Sequence, residues 1–199
     1  DDWQAVLDRA QAHADVLPAL GLHPWYADTA AGGWQQRLAT LAREHEVRAI
    51  GEIGLDRHFV DRGYDLQARV FEDQLDLAAD LRLPVSVHCV KAWDRLVPLL
   101  QTHAGRTAVV IHAFNSSAQV MTRLLDLGAM LSFATTAAQP RNHRLRERLR
   151  RAPADRLLLE SDAPDMFSAA LVPADDREEG RDNRNEPACV AGLYALAAD

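Results

Sequence analysis

Six short runs of β-branched and leucine-rich residues recur along the chain, and amphipathic stretches at helical spacing fill the intervals between them. The runs are VLPALGLHP (16–24), IGEIGLD (50–56), VSVHC (85–89), VVIHAF (109–114), AMLSFA (129–134) and LLLESDAP (157–164). A nearly continuous apolar run suits a strand buried on both faces, the usual state of strands in a parallel sheet. Strands that alternate with helices call for such a sheet with the helices packed outside it. The expected fold class is therefore α/β. The spacing predicts strands ending near His23, Glu52, His88, His112, Ala134 and Asp162.

The intervals read as helices. Residues 3–14 place Trp3, Val6, Leu7, Ala10 and Ala14 on one face, and 35–46 do the same with Leu38, Leu41, Ala42 and His45. A longer helix is expected over 64–82, with Val70, Leu77 and Leu81 beside Phe71, Leu75 and Ala78. Trp93, Leu96, Val97 and Leu100 fall at i, i+3, i+4 and i+7. Ser116 or Ser117 can cap a helix bearing Val120, Met121, Leu124 and Leu125, which Gly128 stops. The run RNHRLRERLRR (141–151) could grip a nucleic-acid backbone, but a solvated helix with Leu145 and Leu149 turned inward accounts for it better. A last helix carries Val190, Leu193, Tyr194 and Ala197, and the irregular stretch 165–184 reads as a loop over the site.

At 199 residues the chain is sized for a single domain, with no repeats or linkers, and 48% hydrophobic with 26% charged residues is ordinary globular composition. No apolar stretch reaches membrane-spanning length, so no membrane partner is expected. Two cysteines, Cys89 and Cys189, make no disulfide framework, which points to a reducing cytoplasmic home. A formal charge of −7 argues against a broad electrostatic grip on duplex nucleic acid. Divalent cations could still supply the positive charge that phosphate requires.

Four strand ends carry Glu52, His88, His112 and Asp162. In a barrel of parallel strands the C-terminal ends meet on one rim, where such enzymes keep their chemistry. Taken singly, each residue has a plainer role. Glu52 lies in a strongly apolar segment, where either an arginine or a metal must compensate it. His88 or His112 alone would more often be a hydrogen-bonded core histidine, and Asp162 could cap the turn that follows it. Their joint placement on successive strand ends favours divalent metal. His23, before Pro24, suits a structural hydrogen bond as well as a substrate contact, and Cys89 reads as a small buried hydrophobe.

The segments ALGLHPWYA (19–27), IGEIGLD (50–56), LPVSVHC (83–89), VIHAFNSS (110–117), LLLESDAPDM (157–166) and RNEPA (184–188) together resemble, in order and spacing, the TatD family of metal-dependent deoxyribonucleases among the amidohydrolase-like barrels. The resemblance implies a TIM-type (β/α) barrel of which this chain carries six of eight strands, a single hydrolase domain over 1–199. About two βα units would precede Asp1, with the family's opening His-x-His pair, which this sequence does not contain. It implies that Glu52 bridges two metal ions, that His88 and His112 ligate one, and that Asp162 ligates the other and accepts a proton. It places His23 and Asn185, with Glu186 beside it, near the substrate. Lys91, which stands where the family commonly has an arginine, or His23 is the expected phosphate contact. The cofactor expected is two divalent ions per complete site (Mg²⁺, Mn²⁺ or Zn²⁺). The substrate expected is DNA, single-stranded or at a 3′ end, cleaved by exonucleolytic phosphodiester hydrolysis. The alternatives are a metal-dependent hydrolase of an ester, lactone or amide, and a catalytically impaired barrel acting as a binding protein, for which the absent histidine pair argues.

Overall fold

Each expected strand is present and each is followed in sequence by a helix, so six βα units succeed one another. The computed structural model describes residues 2–171 and 184–198. The elements are α1 (Trp3–Ala12), β1 (Ala19–Leu20), α2 (Trp34–Glu44), β2 (Ala49–Asp56), α3 (Tyr64–Leu81), β3 (Val85–Val90), α4 (Trp93–Thr102), β4 (Val109–Ile111), α5 (Ala118–Asp126), β5 (Met130–Ala134), α6 (His143–Arg151), β6 (Leu157–Glu160) and α7 (Val190–Ala198). The chain divides into two compact units, one reaching to Val110 and including Asp126–Ala129, the other formed by Ile111–Leu125 with the residues from Met130 onward.

In the first unit β1, β2 and β3 lie side by side in chain order and run parallel. β1 is far shorter than the run 16–24. Val16 and Leu17 are exposed, and Pro24 opens a 3₁₀ turn, Pro24–Thr29, because its fixed φ suits the first position of a helical turn. β2 is longer than expected and continues four residues past Glu52 to Asp56. Between the pairs Ile50–Val85 and Ile53–Val87 it carries one residue more than β3. This bulge at Gly51–Glu52 re-aims the side chains beside it, a frequent device next to active sites.

The core of this unit is apolar, with Ile50, Ile53, Leu55, Phe71, Val85, Val87 and Leu96 fully buried. α3 packs on β2 and buries two amides, Gln67 and Gln74, in its apolar face. Gln74 accepts the Leu22 N–H (2.6 Å) and donates to the Leu22 carbonyl (3.1 Å). Gln67 does the same for Asp56, accepting its N–H at 2.9 Å and donating to its carbonyl at 3.2 Å. Seven residues apart, these amides lie on one side of the helix. Each fixes backbone just past or at a strand end, where unpaired polar groups would otherwise be buried at a cost.

In the second unit β5 and β6 pair in parallel, with Leu131 opposite Leu157 and Ala134 opposite Glu160. Phe114 and Phe133 meet edge to face at 5.7 Å within the apolar core. Ser117 caps α5, its hydroxyl accepting the Val120 N–H at 3.2 Å. Leu145 and Leu149 are the buried residues of α6, as expected. Arg144, Arg150 and Arg151 are solvated, whereas Arg146 and Arg148 are half-buried and Arg146 donates to the Ala138 and Gln139 carbonyls. Of the stretch 165–184 read as a loop over the site, residues 172–183 lie outside the described residues.

Candidate metal centre

The first unit gathers His23, Glu52 and His88, whose ligand atoms all lie within 4.8 Å of one another. Glu52 Oε2 is 3.9 Å from His23 Nε2 and 3.7 Å from His88 Nδ1. The carboxylate thus faces two imidazoles. The other nitrogen of His88, Nε2, lies 3.2 Å from Oδ2 of Asp56, a carboxylate only 1% exposed. Since a carboxylate only accepts, His88 carries its proton on Nε2 and turns the Nδ1 lone pair toward Glu52.

Asp56 also accepts the Trp25 indole N–H at 2.6 Å and the His58 backbone N–H at 2.9 Å. Burial by itself would raise the Asp56 carboxyl. The hydrogen bonds from Trp25, His58 and His88 outweigh it and hold the group below the ordinary carboxylate range.

His23 differs from His88. Its Nδ1 accepts the Trp25 backbone N–H at 3.3 Å, so in the neutral ring the proton is on Nε2. It therefore presents an N–H toward Glu52. A donor there suits a substrate oxygen better than a metal ion.

The second unit repeats the pattern with the ring reversed. His112 Nδ1 lies 3.0 Å from Glu160 Oε2, and His112 Nε2 lies 3.2 Å from Asp162 Oδ1. Glu160 is fully engaged, also accepting the Ala113 N–H at 2.6 Å and the Ser132 hydroxyl at 2.7 Å. With the His112 proton on Nδ1, the Nε2 lone pair meets a carboxylate oxygen. Two acceptors so close require a cation or a proton between them. The donor set suits divalent metal, and a carboxylate behind each imidazole is the usual outer support of a ligating histidine.

The backbone turns sharply at these strand ends: Lys91, Ala113 and Asp162 adopt φ of +52°, +43° and +59°. Positive φ in non-glycine residues is costly and clusters at functional sites. The turn after Asp162 is capped by Ser161, whose hydroxyl accepts the Ala163 N–H at 3.2 Å.

Comparison with known proteins decides the family. The model of the family described as TatD related DNase matches residues 1–199. The chain belongs to the TatD family. It is 36% identical over 193 residues, 96% of this chain and 72% of the relative, to the 3′-5′ ssDNA/RNA exonuclease TatD of Pantoea ananatis. It is 34% identical over 203 aligned positions, all of this chain and 74% of the relative, to the uncharacterized metal-dependent hydrolase YjjV of Escherichia coli K12. The crystal structure of that TatD homologue superposes with a TM-score of 0.85 at 31% identity, covering 99% of this chain and 73% of that one. The α/β fold of TIM type expected from the sequence holds with it.

Within this TatD chain the structure brings Glu52, His88 and His23 together in one unit, and His112 with Asp162 in the other. Lys91 is exposed just past β3. Asn185, expected beside the substrate, is buried. Its amide donates to Thr135 Oγ1 at 3.2 Å and to the Ser161 carbonyl, and its backbone N–H to the Pro164 carbonyl at 2.9 Å. It braces the turn that carries Asp162. Burial pushes the Cys89 thiol up to about 12, which disfavours the nucleophilic thiolate at neutral pH. Asp56, Glu160, Gln67 and Gln74 were not marked by sequence reasoning. Asp56 and Glu160 stand in the same runs as Glu52 and Asp162, and a second carboxylate in an apolar run was the available signal. Among the described residues no helix is long and apolar enough to cross a membrane.

Proposed function

We propose that this protein hydrolyses phosphodiester bonds as a metal-dependent exonuclease on single-stranded nucleic acid, DNA in the first instance. The observation that carries the reading is the paired arrangement Asp56–His88–Glu52 and Glu160–His112–Asp162. Each imidazole is held through one nitrogen by a buried or half-buried carboxylate and offers the other toward a second carboxylate. A histidine kept only for packing needs neither. The names of the relatives, an ssDNA/RNA exonuclease and a metal-dependent hydrolase, support the same class.

In this reading Glu52 and His88 would hold divalent metal ions in the first unit, and His112 and Asp162 in the second. The chemistry such ions supply is a water acidified toward hydroxide and charge relief on phosphate oxygens. Asp162 accepts the proton of the attacking water. His23 donates its Nε2–H to a phosphate oxygen, and Lys91 contributes a mobile positive charge at the exposed end of β3. Asp56 and Glu160 keep the two imidazoles in the required tautomers. Asn185 acts through the turn it braces.

The test is cleavage of a 3′-labelled and a 5′-labelled single-stranded oligonucleotide with Mg²⁺ or Mn²⁺, with EDTA, and with Asp162→Asn, beside an aryl ester. Shortening from the 3′ end that requires metal and Asp162 is expected. Metal-dependent turnover of the ester alone would assign the site to carbonyl chemistry instead.

A further inference from the structure

Two large aromatic rings stand exposed immediately after His23. Trp25 is 39% and Tyr26 54% exposed, although scattered exposure of such rings is usually single. Both touch the His23 ring, Trp25 edge-on at 4.8 Å between centroids and Tyr26 tilted at 6.3 Å. We propose that Trp25 and Tyr26 form a stacking platform for the nucleobases of a single-stranded nucleic acid, next to the His23–Glu52–His88 cluster. The proposal rests on the nuclease reading and assigns the surface that recognises its substrate.

The Trp25 ring and the backbone that carries both rings are held in place, as a stacking surface must be. The Trp25 indole N–H is fixed on the buried Asp56 at 2.6 Å, and Phe59 packs against the ring at 5.1 Å. The backbone beneath them is a 3₁₀ turn whose start is capped by His23 Nδ1 and whose end is tied by the Thr29 hydroxyl donating to the Tyr26 carbonyl at 3.0 Å. Little freedom remains for the Trp25 ring or for the turn to lose on binding, which is what makes an aromatic contact effective.

Tyr26 also stands on the wall of a cleft of about 720 Å³ lined by His23, Leu22, Trp3, Trp34 and Arg37, within the range of small-ligand sites. A base laid on Tyr26 has room beside it, with its phosphate toward His23. The charge of the sequence favours this mode. At −7 the chain has little to offer a phosphate backbone electrostatically. Stacking supplies about 1–3 kcal/mol per base without cations and tolerates any base sequence.

Binding of a fluorescent ten-residue oligothymidylate, measured by anisotropy in EDTA so that nothing is cleaved, tests the platform against an abasic oligomer with the same phosphates. The intact chain is expected to prefer the base-bearing oligomer. Tyr26→Ala should weaken that oligomer alone by about 5- to 150-fold, the equivalent of one lost stack, and Tyr26→Phe should restore it. The salt dependence should be shallow. Equal binding of the two oligomers, no binding of either, or an equal loss on both in Tyr26→Ala overturns the platform. Metal-dependent cleavage is followed in parallel. Base-dependent binding without cleavage sinks the nuclease reading and leaves the platform, whereas cleavage with base-independent binding does the reverse.

Discussion

Oδ2 of Asp56 accepts from Trp25 Nε1 at 2.6 Å and from His88 Nε2 at 3.2 Å, so one buried oxygen ties an exposed ring to a candidate metal ligand. The carboxylate can be buried because its partners satisfy it: two side-chain donors, the His58 N–H, and Gln67 on its backbone. Asp56→Asn keeps the shape and loses the charge that fixes the His88 tautomer. Divalent-metal affinity should fall by about 10- to 100-fold, as with other outer-shell partners. Stability should fall by about 1–3 kcal/mol, because an amide leaves at least one of the three donors without its acceptor. Isothermal titration with Mn²⁺ or Zn²⁺ checks this; unchanged affinity would show that His88 orients itself.

Glu160 performs the matching task for His112 and also receives the Ala113 N–H and the Ser132 hydroxyl. In Glu160→Gln one oxygen becomes an amide that can only donate. At least one of these three donors then loses its acceptor, at a cost of about 1–3 kcal/mol. The urea midpoint should drop accordingly, and the ¹⁵N shifts of His112 should report a change of tautomer. Unaltered shifts would remove Glu160 as the orienting group.

Gly54 lies opposite His88 in the β2–β3 register at φ +142°, and a Cβ built there would collide with the His88 carbonyl oxygen. Gly105 also has positive φ, +75°, but open space around it. Gly105→Ala should cost about 1–2 kcal/mol, the conformational penalty alone. Gly54→Ala should cost about 3 kcal/mol or more, since strain and overpacking add. Thermal denaturation of the two variants makes the comparison, and equal losses would mean that the strands separate freely at this point.

Arg57 makes a forked contact with Asp94, at 2.7 and 2.8 Å. The hydrogen bond from Arg57 holds the Asp94 carboxyl below its ordinary value, although both side chains are well exposed. A carboxyl lowered in the folded state stabilises it above the unfolded pKa of about 4 and ceases to do so as the pH falls through the folded value. Asp94→Asn should therefore lower Tm slightly at pH 7, with the gap to the parent chain closing as the medium is acidified past pH 4. The gap should also shrink in 1 M NaCl, because exposed pairs are screened. A gap that persists at pH 2 would assign the effect to packing.

Much of this protein was written locally. The six apolar runs became β1–β6, and the helical spacing of Leu145 and Leu149 identified the buried face of α6 before any contact was known. Periodicity reports which side of an element leaves water, and that information travels with neighbouring residues. The metal-suited residues were legible for a related reason, since Glu52, His88, His112 and Asp162 interrupt or follow apolar runs in which a polar group is expensive.

Only the tertiary structure decided what supports them. Gln74 meets Leu22 across 52 positions and Glu160 meets His112 across 48. Nothing in the spacing of either residue names its partner, because a hydrogen bond between distant segments is set by how elements pack. The same packing buried Asn185 under the Asp162 turn and continued β2 past Glu52, through a bulge that periodicity does not register. The sequence determined which groups could do chemistry; the folded chain chose the nitrogen each histidine presents, since that choice belongs to the carboxylate behind it.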